Sequence, residues 1–251
     1  MNDTTMEAAR AHAAAQYPCE ACGLVVIEKG KERFWPCRNM ATDATEHFVL
    51  HPEDYAAAED AGEVVAVVHS HPDATSRPSE QDRAMCEVSG LPWYIIGMPD
   101  GKPADVLRLN PAGYVPPLVG RPFVHGLLDC WTLCHDWYAT EWGLALPSPP
   151  RADGWWNDGQ SNLYGDAALA GAGFRVVWRK GDSAAPPLQR GDLILMQVRS
   201  RNLVPNHAGI YLGEGQMLHH MHGRLSCREV FGGYWLETAV VAARHDCAVR
   251  H

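Results

Sequence analysis

Val64-Val-Ala-Val-Val-His69-Ser-His71-Pro72 runs a five-residue apolar stretch straight into two histidines. An uninterrupted, β-branched run of that length predicts a strand buried on both faces. Side chains two apart on a strand point to one side, so both imidazoles reach the same place at its end. Asp82 follows eleven residues after His71 and three after Ser79. A serine N-cap with an acidic residue at N3 predicts a helix over 79–88. Two histidines and one carboxylate leave a tetrahedral position open, the donor set of a catalytic zinc rather than a structural one. Zinc held there lowers a water's pKa to about 7. A carboxylate must still take the proton, and Glu20 in Pro18-Cys-Glu20-Ala-Cys-Gly23 is the candidate.

Around this centre, Met6–Gln16 is Ala-rich and helical and stops near Pro18. Leu24–Glu28 and Glu32–Cys37 predict paired strands about Lys29-Gly30-Lys31. Pro52 opens a short helix, and Trp93–Ile96 and Asp105–Leu109 predict closing strands. Helices and strands mix without regular alternation, which predicts the α+β class. Cys19 and Cys22 form a Cys-x-x-Cys without a second pair or a βαβ setting, so they read as small buried residues beside Glu20.

The chain has 251 residues, enough for two domains. Its formal net charge is −9, and no basic field favours nucleic acid or an anionic membrane. Residues 1–115 carry 18 acidic against 9 basic side chains, while 116–251 balance at 12 of each. That step suggests two separately evolved halves. Leu109-Asn-Pro-Ala-Gly-Tyr-Val-Pro-Pro-Leu-Val-Gly120 has the prolines and glycines of a connector. The expected organisation is a domain over 1–112, a linker over 113–120 and a domain over 121–251. No apolar run approaches the ~20 residues of a membrane span, so no transmembrane segment is expected. Polar Asn2-Asp3-Thr4-Thr5 replaces the start of a secretory signal, so none is expected and the 8 cysteines read as thiols, ligands or nucleophiles.

In the second half, Asp129–Trp142 and Gln160–Gly171 predict helices, followed by short strands at Phe174–Trp178, Asp192–Gln197, His207–Leu212, Gln216–Leu218 and Val240–Arg244. Asp129-Cys130 opens the first helix, where exposed N–H groups and the macrodipole favour a thiolate. A base is then required. His207 starts one strand of a Gly-bounded hairpin, and His219 ends the next, where it can orient the His207 ring. This is a nucleophile–base–orienter set. Cys134, Trp131, Trp137, Trp142, Trp155 and Trp156 read as packing, although Trp155-Trp156 on a loop can also flank a groove.

The string His69-Ser-His71-Pro-(six residues)-Ser79-x-x-Asp82 resembles the JAMM (MPN-type) zinc metallopeptidases at every position, and the Pro-x-Glu-x-Cys-Gly context of Glu20 resembles their catalytic-glutamate segment. Over about residues 5–112, the resemblance implies an MPN-like fold and Zn2+ on His69, His71 and Asp82. It implies Glu20 as general base and Ser79 as hydrogen-bond donor to the oxyanion. Gly126-Leu-Leu-Asp-Cys130, Arg190-Gly-Asp-Leu-Ile-Leu195 and His207-Ala-Gly-Ile-Tyr-Leu-Gly-(five residues)-His219 resemble the NlpC-type papain-like cell-wall peptidases. That resemblance implies Cys130 as nucleophile, His207 as base, His219 as orienting residue and peptide stems of peptidoglycan as substrate. One departure stands out. Cell-wall members often carry a Tyr upstream of the cysteine, where this chain has Phe123, with His125 as the substitute donor; His220 and His222 also crowd the third position.

The order of the halves resembles the tail-tip protein K family of lambda-like long-tailed phages, as do Asp153-Gly-Trp-Trp156, Gly173-Phe174, Asn206-His-Ala-Gly209, Leu218-His-His220 and Gly223-Arg-Leu-Ser226. It implies a virion tail-tip peptidoglycan hydrolase made in the host cytoplasm, with a second, zinc-dependent peptidase or isopeptidase site. It also implies a part in tail assembly, other tail-tip proteins as partners and no direct nucleic-acid binding. The alternatives are a structural tail-tip subunit with idle sites and, from the first half alone, an isopeptidase for ubiquitin-like tags.

Overall fold

Apolar runs form the inner strands of two separate sheets. In the computed structural model, residues 1–182 and 186–250 are described, and the chain divides into two units, Met1–Val115 and the remainder from Pro116. Both mix helix and sheet, as the α+β class requires.

The first unit runs α1 (Asp3–Gln16), β1 (Cys22–Glu28), β2 (Lys31–Cys37), α2 (Pro52–Ala61), β3 (Glu63–Pro72), α3 (Glu80–Ser89), β4 (Trp93–Met98) and β5 (Val106–Leu109). The sheet order is β2-β1-β3-β4-β5, with only the β3–β4 pair parallel. Asn2 caps α1 by accepting from the Thr5 N–H, and Ala9 and Ala13 let α1 lie close on Val25, Val68 and Ile96. Leu24, Val26 and Val67 face the other way, towards Ala58 of α2 and Cys86 of α3. The central strands are therefore covered on both faces, which is why the Val64–Val68 run needs no alternation.

Near the start of the second unit stands Arg121, whose side chain is fully buried and donates to the carbonyls of Pro116 and Pro117 and to Asp136. Then follow α4 (Cys130–Trp142), α5 (Asp166–Gly171), β6 (Phe174–Arg179), β7 (Leu193–Met196), β8 (His207–Gly213), β9 (Gln216–His219), β10 (Cys227–Val230), α6 (Tyr234–Thr238) and β11 (Ala239–His245). The antiparallel sheet runs β10-β9-β8-β7-β11-β6. Leu133, Trp137 and Tyr138 of α4 pack with Leu193, Leu195 and Ile210, each aliphatic burial contributing roughly 2 kcal/mol. Trp131 and Trp155 are buried in the same cluster, with Trp142 and Trp156 packed against it.

Two expectations change. The helix expected over 160–171 is only Asp166–Gly171. Asp158 Oδ1 accepts from the N–H groups of Gln160 and Ser161, and Asn162 Oδ1 accepts from Tyr164 N–H, so side chains take the donors a longer helix would use. Strand β10 and helix α6 were not expected. Both follow a turn at Gly223, and β10 carries a residue that matters below.

Candidate active sites

In the first unit, β3 ends with His69 and His71 on one face, and α3 brings Asp82 to them. His69 Nε2 lies 3.0 Å from His71 Nε2 and 3.1 Å from Asp82 Oδ1; His71 Nε2 lies 3.3 Å from Asp82 Oδ2. Three donors bound to one zinc at 2.0–2.2 Å would stand about 3.3 Å apart at tetrahedral angles, so the triangle has metal-site size. His71 Nδ1 donates to the Thr75 carbonyl at 3.1 Å, which leaves its Nε2 lone pair facing the triangle. Burial favours neutral His69 and lowers its pKa; the same burial acts on His71, where Asp82 outweighs it and raises the pKa. Burial alone would raise Asp82, but the two imidazoles hold it well below the usual carboxylate range. The residues present fit a divalent ion.

The β1–β3 register explains the place of Glu20. Cys22 pairs with His69, and Ala21 and Ser70 exchange hydrogen bonds, so continuing the register sets Glu20 opposite His71. Burial pushes its carboxyl up to about 8, eased by His71 and reinforced by Asp82 and Glu46. Ser79 caps α3 and forms a reciprocal capping box with Asp82. Its hydroxyl donates to Asp82 Oδ2 at 2.8 Å, so here its proton is held by a candidate ligand. Gly97, paired with His71, is needed for close approach: a Cβ there would lie 2.4 Å from Ser76 N, in the loop that carries Ser79.

In the second unit, Asp129 caps α4 by accepting from Trp131 and Thr132 N–H. Its carboxylate is also gripped by Arg151, at 2.9 and 3.0 Å from one guanidinium nitrogen. Cys130 and His207 line one cleft of about 560 Å³, together with His125, Trp155, Trp156 and His220. The expected thiolate is not what burial gives. It pushes the Cys130 thiol up to about 11, the Asp129 charge adding to the rise and the Ala208 N–H, Tyr164 and Arg151 opposing it. His207 is pushed the other way, to about 3, by burial and then by His219 and His220. The resting pair is thus neutral thiol and neutral imidazole.

Behind His207 runs a relay. His207 Nε2 lies 3.0 Å from His219 Nδ1, and His219 Nε2 lies 3.2 Å from Glu229 Oε2. Burial disfavours the Glu229 charge, yet Trp235 and His219 hold its pKa below the ordinary value, so it accepts. The proton order follows: His219 donates through Nε2 and accepts at Nδ1 from His207 Nε2–H, leaving His207 Nδ1 with a free lone pair. Gly209, paired with His219, permits this closeness, since a Cβ would fall 3.2 Å from His219 Cβ. Of the three crowded histidines, His219 meets His207. His220 turns to the Phe123 ring and lines the cleft. His222 also meets the Phe123 ring edge-on.

Sequence reasoning missed two residues. Glu229 lies on the unexpected β10; the alternation Cys227-Arg-Glu229 after the His219 strand was its only signal. Tyr164, whose hydroxyl lies 3.8 Å from Cys130 Sγ, sat inside the expected long helix, downstream of the cysteine where an upstream tyrosine was sought. His125 Nε2 is engaged by the Arg151 carbonyl at 3.2 Å.

Residues 3–109 match the family described as prokaryotic homologs of the JAB domain, and residues 120–244 match the NlpC/P60 family. The tail tip assembly protein K of Escherichia phage N15 is 45% identical over 98% of this chain and 96% of its own length. The tail tip assembly protein K of Escherichia phage lambda is 39% identical over 78% of this chain and 89% of its own. A desampylase of Haloferax volcanii is 32% identical over 40% of this chain and 77% of its own. Identity at that level along nearly the whole chain, with both domains in that order, means that this chain belongs to the tail tip assembly protein K family.

Proposed function

We propose that the chain is a tail-tip peptidoglycan hydrolase whose cysteine site cuts wall peptide stems during host entry. A second, zinc-dependent peptidase or isopeptidase site lies in the first half. The observation that carries this reading is the shared cleft of Cys130 and His207 with an ordered relay behind it.

In this mechanism His207 Nδ1 takes the thiol proton as Cys130 sulfur attacks an amide carbonyl. His219 and Glu229 stabilise the imidazolium that forms, and His207 then gives the proton to the leaving amine. Water hydrolyses the resulting thioester. Tyr164 supplies beside the sulfur the hydroxyl that Phe123 lacks and donates to the oxyanion. Trp155 and Trp156 wall the groove.

In the first half, His69, His71 and Asp82 would hold the ion, with Asp82 fixed by Ser79 and His71 by Thr75. Zinc, when bound, supplies Lewis-acid activation of a water near neutral pH. Glu20 takes and returns the proton, a role suited to a carboxyl raised towards neutrality. The match to JAB homologs and the desampylase relative support a peptidase assignment for this half.

Digestion of purified peptidoglycan, with released fragments identified by mass, tests the reading. Wild type and Glu20→Gln are expected to release the same stem-cleavage products, and Cys130→Ala at least about a thousandfold less. Equal release by Cys130→Ala removes the nucleophile. The alternative, a structural subunit with idle sites, predicts full infectivity of Cys130→Ala phage together with failed tail assembly when the chain is deleted. Burial of Cys130, which pushes its thiol up, is the observation in its favour.

A further inference from the structure

We propose that His219 Nε2, Cys227 Sγ and Glu229 Oε2 form a second transition-metal site, suited to Zn2+, whose occupation silences the cysteine site. The silencing rests on His207 being the base; the site itself does not.

The sheet assembles the donors. Cys227 pairs directly with His219 across β9 and β10, and Glu229 stands two residues along β10, on the same face. Sγ lies 3.7 Å from His219 Nε2, and Oε2 lies 3.2 Å from it. Zinc bond lengths of 2.3 Å to sulfur and about 2.0–2.1 Å to nitrogen or oxygen give tetrahedral edges of about 3.6 Å for S···N and 3.3 Å for N···O. Both observed distances match these edges. All three donor atoms lie within 4.8 Å of one another. Thiolate, imidazole and carboxylate select zinc-like ions over magnesium or calcium. Cys227 and Glu229 are half-buried, so the ion has a path from solvent and water a fourth position. Arg224 holds the other carboxylate oxygen, Oε1, at 3.1 Å from an exposed side chain, and Trp235 Nε1–H donates to Oε2 at 2.7 Å, orienting that oxygen while leaving it a second lone pair for the ion.

Occupation reverses the relay. The metal takes the Nε2 lone pair of His219 and displaces that proton to solvent. His219 Nδ1 then takes the Nε2 proton of His207 across their 3.0 Å contact, and His207 is reprotonated from solvent at Nδ1. The histidine pair holds the same number of protons as before; the Cys227 thiol releases one as it becomes a ligand. His207 now presents N–H, not a lone pair, to Cys130.

Cobalt titration of the full chain tests the site, because a thiolate ligand gives a near-ultraviolet charge-transfer band and the His69–His71–Asp82 site has no thiolate. A band is expected that persists in Asp82→Asn and is lost in Cys227→Ser. Alkylation of Cys130, followed by peptide mapping with and without Zn2+, tests the silencing. Zn2+ is expected to slow it about tenfold or more in wild type and to leave Cys227→Ser, with its wild-type metal-free rate, unaffected. Absence of a Cys227-dependent band overturns the site, and a band without slower alkylation overturns the silencing. If metal-free alkylation is the same in His207→Ala, the base reading falls, and the silencing with it, while the band remains.

Discussion

The first half gathers charge around its reacting centre, and the second removes it. Asp82 is held ionised by two imidazoles and His71 is raised by that carboxylate, so the first site is an electrostatic socket for a cation. Cys130 and His207 are both buried towards neutrality, and the second site depends on which nitrogen carries a proton. In the proposed chemistry one demand, a nucleophile at neutral pH, would be met by a field in one half and by proton order in the other. On the proposals above, a metal would assist the first and, at the relay, oppose the second.

The contrast breaks most sharply at Asp82. Asp82→Asn is expected to remove zinc from the first site and cut its peptidase activity on the order of a hundredfold or more, measured as zinc per chain and peptide cleavage, while peptidoglycan digestion stays intact. If digestion falls equally, the sites are not independent. A smaller effect is expected at Glu229. Glu229→Gln keeps an acceptor near His219 but removes its charge, and peptidoglycan digestion should fall about tenfold in kcat with KM retained. An unchanged kcat would show that His219 alone sets the proton order.

The smallest effect concerns acid stability. Burial opposes the charge of Asp129, but Arg151 and the N–H groups of Thr132 and Gly126 outweigh it and lower the pKa. A carboxylate lowered on folding adds stability that is present above its unfolded pKa, about 3.9, and is lost as pH falls through the lower folded value. Thermal melts from pH 6 to about pH 3 should show the second unit losing this contribution, and Asp129→Asn should flatten that part of the curve while being less stable at pH 6. A parallel curve for the variant would remove Asp129 from the acid limb.

Much of this arrangement was legible in sequence because local rules set it. The Val64–Val68 run, the Ser79 cap and the two-residue spacing of His69 and His71 each follow from one element, and they meet as expected. Glu20 was legible by motif, although its place opposite His71 is a matter of strand register. Glu229 and Tyr164 were not legible. One depends on a short edge strand without strong alternation, the other on side-chain caps that end a helix pattern early. Whether Cys130 is thiolate or thiol was equally hidden, since a helix N-terminus is visible in sequence and the degree of burial is not.

Each unit also fastens its own end of the connector. Glu87 accepts from the N–H groups of Ala112 and Tyr114, and Arg121 binds the carbonyls of Pro116 and Pro117. A genetic crossover at the Val115–Pro116 bond would leave both clasps whole, so the gene can exchange either half for another lineage's version without unstitching the one it keeps.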